Sequence, residues 1–184
     1  PDTNMVIQAN NLNKSFRNEP VLTYFSVSLR KSERLLLFAP SGAGKTTLMR
    51  ILSGLLPADS GQFHFPQGDE PQMVFQEPRL FPHLTVDENI RLPLRSQHFH
   101  NKPNGLHFLP DWYHLTNLDG YQNAFPHSLS GGMKRKVSLL RALITLPKLL
   151  LLDEPFQSLD KQSRETFVQA IFPNVPDLSV LFSS

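Results

Sequence analysis

The sequence predicts an α/β fold: a mainly parallel sheet with helices on both faces. Three apolar runs carry that reading, Leu35-Leu36-Leu37-Phe38, Leu149 to Leu152 and Val180-Leu181-Phe182. None alternates with polar residues, which is typical of strands buried on both faces. Helical periodicity lies between them. Leu48, Ile51, Leu52 and Leu55 recur at i, i+3, i+4 and i+7, and Met133, Val137, Leu140 and Ile144 form a second apolar stripe. Strands and helices that alternate in this way build a parallel sheet.

The elements follow in order. Met5 to Ala9 and Phe25 to Leu29 read as strands, the second with Ser26 and Ser28 between its apolar residues. The helix after Leu35 to Phe38 is expected to end at Gly54 and Pro57. Met73-Val74-Phe75 is a short strand. Thr85-Val86-Asp87-Glu88 is a capping box, and its helix should stop near Pro93. Residues 95–110, rich in His, Asn, Pro and Gly, read as loop. The helix from Met133 is followed by Pro147. Lys161 to Phe172 reads as a helix with Asp160 available as its N-cap.

Composition narrows the function classes. The 184 residues fit one domain at about 150 residues per domain, with room for a small subdomain. The net charge of +2 gives no support for holding nucleic acid by bulk charge. The absence of cysteine excludes a disulfide scaffold, a Cys-ligated metal and a thiol nucleophile. No apolar run approaches the roughly 18–20 residues that span a bilayer, and the first twenty residues show no basic start followed by an apolar stretch. A soluble cytoplasmic globular domain is the expectation. Nine of the sixteen prolines lie between Pro57 and Pro126, so short, broken elements are expected in the middle of the chain. The histidines show no metal-ligand spacing and read as surface or satisfied core residues. Trp112 and Tyr113 read as core.

Between the first apolar run and its helix lies Ala39-Pro40-Ser41-Gly42-Ala43-Gly44-Lys45-Thr46, followed by Thr47. This is the phosphate-binding P-loop pattern in its strand–loop–helix context, with Ala in place of the first Gly. Glycines let consecutive N–H groups point into one concavity at a helix N-terminus, where phosphate oxygens bind. Lys45 is expected to reach the β- and γ-phosphates, and the Thr46 hydroxyl to ligate Mg²⁺. If the first position needs a positive φ, Ala39 is strained there. The run Leu149 to Leu152 ends in Asp153 and Glu154, at the carboxyl edge of a parallel sheet where ligands bind. The first acid can hold Mg²⁺, and the second can polarise a water for in-line attack on a γ-phosphate.

On these residues the chain resembles the nucleotide-binding domain of ABC ATPases. Leu129-Ser130-Gly131-Gly132-Met133 looks like the family signature, with Met in place of its commoner Gln, and it precedes Asp153-Glu154 at family-like spacing. Ser158-Leu159-Asp160 looks like the D-loop, and Gln76 like the Q-loop glutamine. Phe16 stands where the family often has an aromatic that stacks on adenine. Pro126 to Met133, Leu149 to Phe156 and Phe81 to Asn89 look like ATPase subunits of nitrate/sulfonate/taurine-type importers.

The resemblance implies a P-loop NTPase fold, RecA-like, with an N-terminal antiparallel β subdomain and a small helical subdomain. It implies one ABC ATPase domain over 1–184, divided into an N-terminal β part (1–30), a P-loop core (31–76), a helical subdomain (77–128) and the signature helix with the second half of the core (129–184). It also implies ATP and Mg²⁺ as cofactors. Phe16, Ser41, Gly42, Ala43, Gly44, Lys45, Thr46 and Thr47 would hold the nucleotide on one chain. Ser130, Gly131, Gly132 and Asp160 would face it from a second, head-to-tail copy. Thr46, Gln76 and Asp153 would serve the metal, and Glu154, Gln76 and Lys45 the hydrolysis. Implied partners are a second ATPase domain, transmembrane permease subunits and, indirectly, a substrate-binding protein, with no nucleic acid. The implied place is the cytoplasmic face of the inner membrane, as a peripheral subunit, and the implied role is to power import of a small anion or organic solute by ATP-driven dimer closure.

Bland readings stay open for some residues: Phe16 as core, Gln76 as a strand-end polar group, Asp160 as an N-cap. Two other functions are also carried. One is a soluble, non-transport ABC ATPase, disfavoured by the balanced charge. The other is a domain that binds ATP but hydrolyses it poorly, suggested by Ala39 and by Lys134-Arg135-Lys136 after the signature. Val180 to Ser184 resembles the family strand that precedes a switch histidine. A domain lacking its C-terminal edge is therefore expected, with impaired hydrolysis if the chain is complete.

Overall fold

The computed structural model describes residues 4–65, 71–97 and 104–184. The chain divides into two compact units, one of 1–73, 148–154 and 177–184, the other of 74–147 and 155–176.

The first unit opens with a long hairpin, β1 (Met5–Phe16) and β2 (Glu19–Arg30). Arg17 and Asn18 close it with φ of 50° and 67°, the double left-handed turn whose twist suits a tight hairpin. Both strands run well beyond the sequence reading. Asn11 (φ 52°) and Tyr24 (φ 46°) sit at register irregularities, which break the alternation a sequence pattern relies on. β4 (Ser60–His64) pairs with the other edge of β1, giving the antiparallel order β2-β1-β4. At its start Gly61 has φ 88°, and a Cβ there would lie 2.3 Å from the Asn11 carbonyl oxygen, so the close approach of the two strands needs glycine.

The second sheet has the order β3-β7-β6-β5, from β3 (Arg34–Leu37), β7 (Ser179–Ser183), β6 (Leu149–Leu152) and β5 (Gln72–Val74). β3 and β6 both run parallel to β7. Helix α1 (Lys45–Leu52) buries Leu48, Met49, Ile51 and Leu52 in one core with Ile7, Leu12 and Leu29 of the first sheet and Leu149, Leu151 and Leu181 of the second. The four leucines of β6 are fully buried, as their unbroken apolar run predicts. β3 corrects the same expectation. It is an edge strand of the described sheet, and alternate residues point to opposite faces: Arg34, Leu36 (45%) and the following Phe38 (83%) lie on the exposed one.

The second unit is helical. Helix α2 (Val86–Arg91) starts at the predicted capping box: Thr85 Oγ1 accepts from the Glu88 N–H (3.2 Å), and Glu88 Oε2 accepts from the Thr85 N–H (2.9 Å). Asn89 is buried and stitches the preceding turn, its amide donating to the carbonyls of Phe81, Leu84 and Thr85. Residues 98–103 of the expected loop lie outside the described residues. The rest of it is more ordered than composition suggests: a 3₁₀ turn, Leu106–Phe108, leads into α3 (Leu109–Leu115). Pro110 sits in the first helical turn, where its missing N–H has no partner to lose.

Trp112 and Tyr113 are core, as expected, with Trp112 stacked on Phe108. The Tyr113 hydroxyl donates to Asp87 Oδ1 (2.9 Å), and burial together with this carboxylate pushes its pKa well up. Helix α4 (Gly131–Leu143) follows. The predicted helix over 161–172 is α-helical only in α5 (Lys161–Thr166). It widens to a π turn, Phe167–Ile171, and ends in a 3₁₀ turn, Phe172–Asn174. Pro173 forbids regular continuation, and the change of pitch turns Phe167, Ile171 and Phe172 all inward.

Thr85→Ala should lower stability by about 1 kcal/mol, read as a loss of Tm. The Glu88 carboxyl is held below its ordinary value of 4.5 by the Thr85 donors. Its contribution is therefore present above that value and lost as pH falls through the lowered one. The advantage of the wild type over Glu88→Ala should shrink on acidification, measured by thermal melts across that range.

Candidate active site

The loop 39–44 leads from β3 into α1 with two residues in left-handed conformation, Gly42 (φ 84°) and Gly44 (φ 88°). Gly44 is the N-cap of α1 and backs onto β2: a Cβ there would lie 2.9 Å from Val21 Cγ1 and 3.0 Å from the Val21 carbonyl oxygen. Ala39 has no positive φ, so the strain considered for alanine at that position does not arise. Helix α1 opens on Lys45, Thr46 and Thr47 with no acidic residue in its first turn. The partial positive charge of its N-terminus is left for an anion. Ser41, Gly42 and Ala43 are exposed, and Gly44 is buried. Lys45 Nζ donates to the Ala39 and Pro40 carbonyls, spanning the loop it belongs to.

Asp153 follows β6 and is 2% exposed. Its Oδ2 accepts from Thr46 Oγ1 (2.8 Å), and its Oδ1 accepts from Ser183 Oγ (2.9 Å). Glu154 takes a left-handed φ of 44°, and its N–H donates to Ser183 Oγ (3.0 Å). The Thr46 hydroxyl and the Asp153 carboxylate are hard oxygen donors in contact beside the loop, the donor chemistry that Mg²⁺ takes from protein. Among the described residues no group of three or more His, Cys, Asp or Glu could hold a metal. A cation at Thr46 and Asp153 would complete its shell with phosphate oxygens and water, the usual habit of Mg²⁺. Phe16, at the end of β1, is 47% exposed, with Lys14 Nζ 5.6 Å from its ring centre.

The other expected residues belong to the helical unit. Gln76 Nε2 donates to Gln157 Oε1 (3.2 Å). The backbone around Gln76 is held by two arginines of α4. The buried Arg135 donates to the Phe75 and Gln76 carbonyls, and Arg141 to those of Pro78 (3.1 Å) and Arg79 (3.0 Å). Burial lowers the pKa of Arg141. Ser130 is the N-cap of α4, its Oγ accepting from the Met133 N–H (3.2 Å). A Cβ on Gly131 would meet open space, and one on Gly132 would lie 3.2 Å from the Ser158 carbonyl oxygen. Asp160 is the N-cap of α5. Its Oδ1 accepts from the Ser163 N–H (2.8 Å) and its Oδ2 from the Ser163 hydroxyl (2.9 Å), which together hold its carboxyl below the usual range.

Lys45, Thr46, Asp153 and Glu154 thus come together in the first unit, while Gln76, Ser130, Gly131, Gly132 and Asp160 stand in the second. Sequence reasoning missed the contacts of Ser183, Arg135 and Arg141. The first had a signal: once 149–152 and 179–182 pair as parallel neighbours, position 183 falls beside position 153. The arginines had none, because their partners are main-chain carbonyls.

The comparisons with known proteins bear on the family and the fold. The family described as "ABC transporter" matches residues 22–157. The sulfate/thiosulfate import ATP-binding protein CysA of Nitrosomonas europaea is 37% identical over 173 residues, covering 88% of this chain and 48% of that protein. The aliphatic sulfonates import ATP-binding protein SsuB 1 of Shouchella clausii is 37% identical over 167 residues, covering 91% and 65%. The chain spans about half the length of the sulfate/thiosulfate relatives it matches. A solved ATP-binding cassette, described as a dimer in a post-hydrolysis state bound to ADP and Pi, superposes with a TM-score of 0.82 at 23% identity, covering 97% of this chain and 87% of that one. That likeness establishes the ABC ATPase fold, a P-loop NTPase with an antiparallel and a parallel sheet. With the family matched over residues 22–157, most of this chain, the chain belongs to the ABC transporter family as an ATP-binding domain.

Proposed function

We propose that the protein binds and hydrolyses ATP with Mg²⁺ and powers import of a small anion such as an oxidised sulfur compound. The observation that carries this reading is the contact of Thr46 with Asp153 beside the glycine loop, with Glu154 the next residue. It joins a phosphate cradle, a metal-ligand pair and a candidate base within one unit. The sulfate, thiosulfate and sulfonate named for the relatives support the substrate class.

In this reading the N–H groups of residues 41–47 and the Lys45 ammonium bind the phosphates, and Phe16 stacks on the base. Thr46 and Asp153, with Gln76, would hold Mg²⁺, which would neutralise phosphate charge when bound. Lys45 exchanges its loop carbonyls for phosphate oxygens, a stronger charge-assisted contact. Glu154 accepts a proton from the attacking water, and Gln76 orients that water. Ser130, Gly131, Gly132 and Asp160 serve the nucleotide of a second copy, so closure of a head-to-tail dimer follows ATP binding. Permease subunits receive the motion, and a binding protein delivers the solute. No helix among the described residues is long and apolar enough to cross a membrane, so this reading attaches the protein to the cytoplasmic face through its permease. Of the features that suggested weak hydrolysis, Ala39 no longer favours it, since its backbone carries no left-handed strain.

Lys45→Ala should weaken ATP binding by about ten- to a hundredfold, the worth of one hydrogen bond to a charged group; unchanged affinity by titration rejects the phosphate-loop assignment. Glu154→Gln should keep ATP affinity, lower turnover by about two to four orders of magnitude, and trap an ATP-bound dimer visible by light scattering. Turnover like that of the wild type rejects Glu154 as the base. Co-purification with a membrane permease separates a transport subunit from a soluble ATPase of the same family.

A further inference from the structure

We propose that Ser183 is a positioning residue that orients Asp153 and Glu154 together; the proposal rests on the ATPase reading above. Its hydroxyl sits between the two acids. It donates to Asp153 Oδ1 (2.9 Å) and accepts from the Glu154 N–H (3.0 Å). The polarity of this chain is fixed at both ends. A main-chain N–H can only donate and an ionised carboxylate can only accept, so the single hydroxyl proton has one place to point.

Three further observations support the assignment. Ser183 is 1% exposed and Asp153 is 2% exposed, so water does not compete for either contact. The parallel register, Leu151 opposite Leu181 and Leu152 opposite Phe182, brings positions 153 and 183 side by side at the carboxyl edge of the sheet. Glu154 holds a left-handed φ of 44°, a conformation a side-chain-bearing residue keeps only when its surroundings impose it. The bond from its N–H to Ser183 is a restraint at the residue where the chain leaves β6. It restrains the backbone from which the Glu154 side chain departs.

The contacts of Asp153 also divide cleanly. Oδ1 is engaged by Ser183, and Oδ2 faces Thr46 on the loop side. With Oδ1 anchored, Oδ2 is the oxygen presented to a cation beside Thr46. Removing the Ser183 hydroxyl leaves Asp153 held through Oδ2 alone and takes the Ser183 acceptor from the Glu154 N–H. Each acid loses one restraint through the same atom.

The test compares Ser183→Ala and Ser183→Thr with the wild type. In the nucleotide-free chain, the Glu154 amide of Ser183→Ala should exchange with solvent about tenfold faster or more, and Ser183→Thr should restore protection. With Mg²⁺ and ATP, Ser183→Ala should lose about ten- to a hundredfold in kcat, with KM within about twofold, and Ser183→Thr should recover most of it. Wild-type exchange in Ser183→Ala overturns the proposal, and so does a kcat within about twofold of wild type. Equal damage by both substitutions, or a loss of ATP affinity without Mg²⁺ together with a lowered Tm, marks Ser183 as packing only and overturns it too. A wild-type chain that turns over no ATP overturns the ATPase reading instead, and the exchange measurement then decides whether Ser183 holds the acids.

Discussion

The parallel pairing of β6 with β7 is the constraint on which the rest of the molecule turns. β6 is four leucines with no exposed atom to spare, so its register cannot slip without carrying apolar side chains to the sheet's end. Its fixed register delivers Asp153 to the carboxyl edge, where it meets the first turn of α1 through Thr46. Helix α1 is in turn held by burial of Leu48, Met49, Ile51 and Leu52 against both sheets. The apolar core thus sets the distance between a hydroxyl and a carboxylate that lie at its rim.

Steric exclusion supplies the second layer of control. Gly44 turns the chain into α1 while touching Val21 of β2, so the hairpin braces the loop from behind. In the helical unit the same task falls to hydrogen bonds. Arg135 and Arg141 reach from one helix to four consecutive or near-consecutive carbonyls, those of Phe75, Gln76, Pro78 and Arg79. The segment 75–79, which contains Pro78 and lies outside helix and strand, would otherwise have little to fix it. Long cationic side chains satisfy its carbonyls and keep their own charge solvated by them.

Much of this was legible in the sequence, and the exceptions have physical causes. The capping box at Thr85 and Glu88, the N-cap Asp160 and the buried run Leu149 to Leu152 are local rules, and they held. The glycine loop was legible as a turn, because Gly42 and Gly44 take the left-handed backbone that glycine permits. The buried state expected for Leu36 and Phe38 did not follow, because an apolar run cannot reveal whether both faces of its strand are covered. The extent of β1 was hidden by Asn11, whose left-handed turn resets the alternation. The π turn after Thr166 was hidden because α and π turns share the same apolar spacing until Pro173 forces a choice. The contacts of Arg135 and Arg141 fall on main-chain acceptors, which carry no sequence signature, and those of Ser183 become legible only once β6 and β7 are paired.

The single tryptophan of the chain is Trp112, 1% exposed, stacked on Phe108 at a centroid distance of 5.6 Å, with an indole N–H that has no hydrogen-bond partner among the described residues. Its emission therefore arises in a dry, apolar setting and belongs wholly to the helical unit. Tryptophan fluorescence will report the melting of that unit alone, while the sheet unit with the glycine loop stays spectroscopically silent at those wavelengths. A fluorescence transition and a backbone circular-dichroism transition that fail to coincide would then reveal two separately cooperative parts.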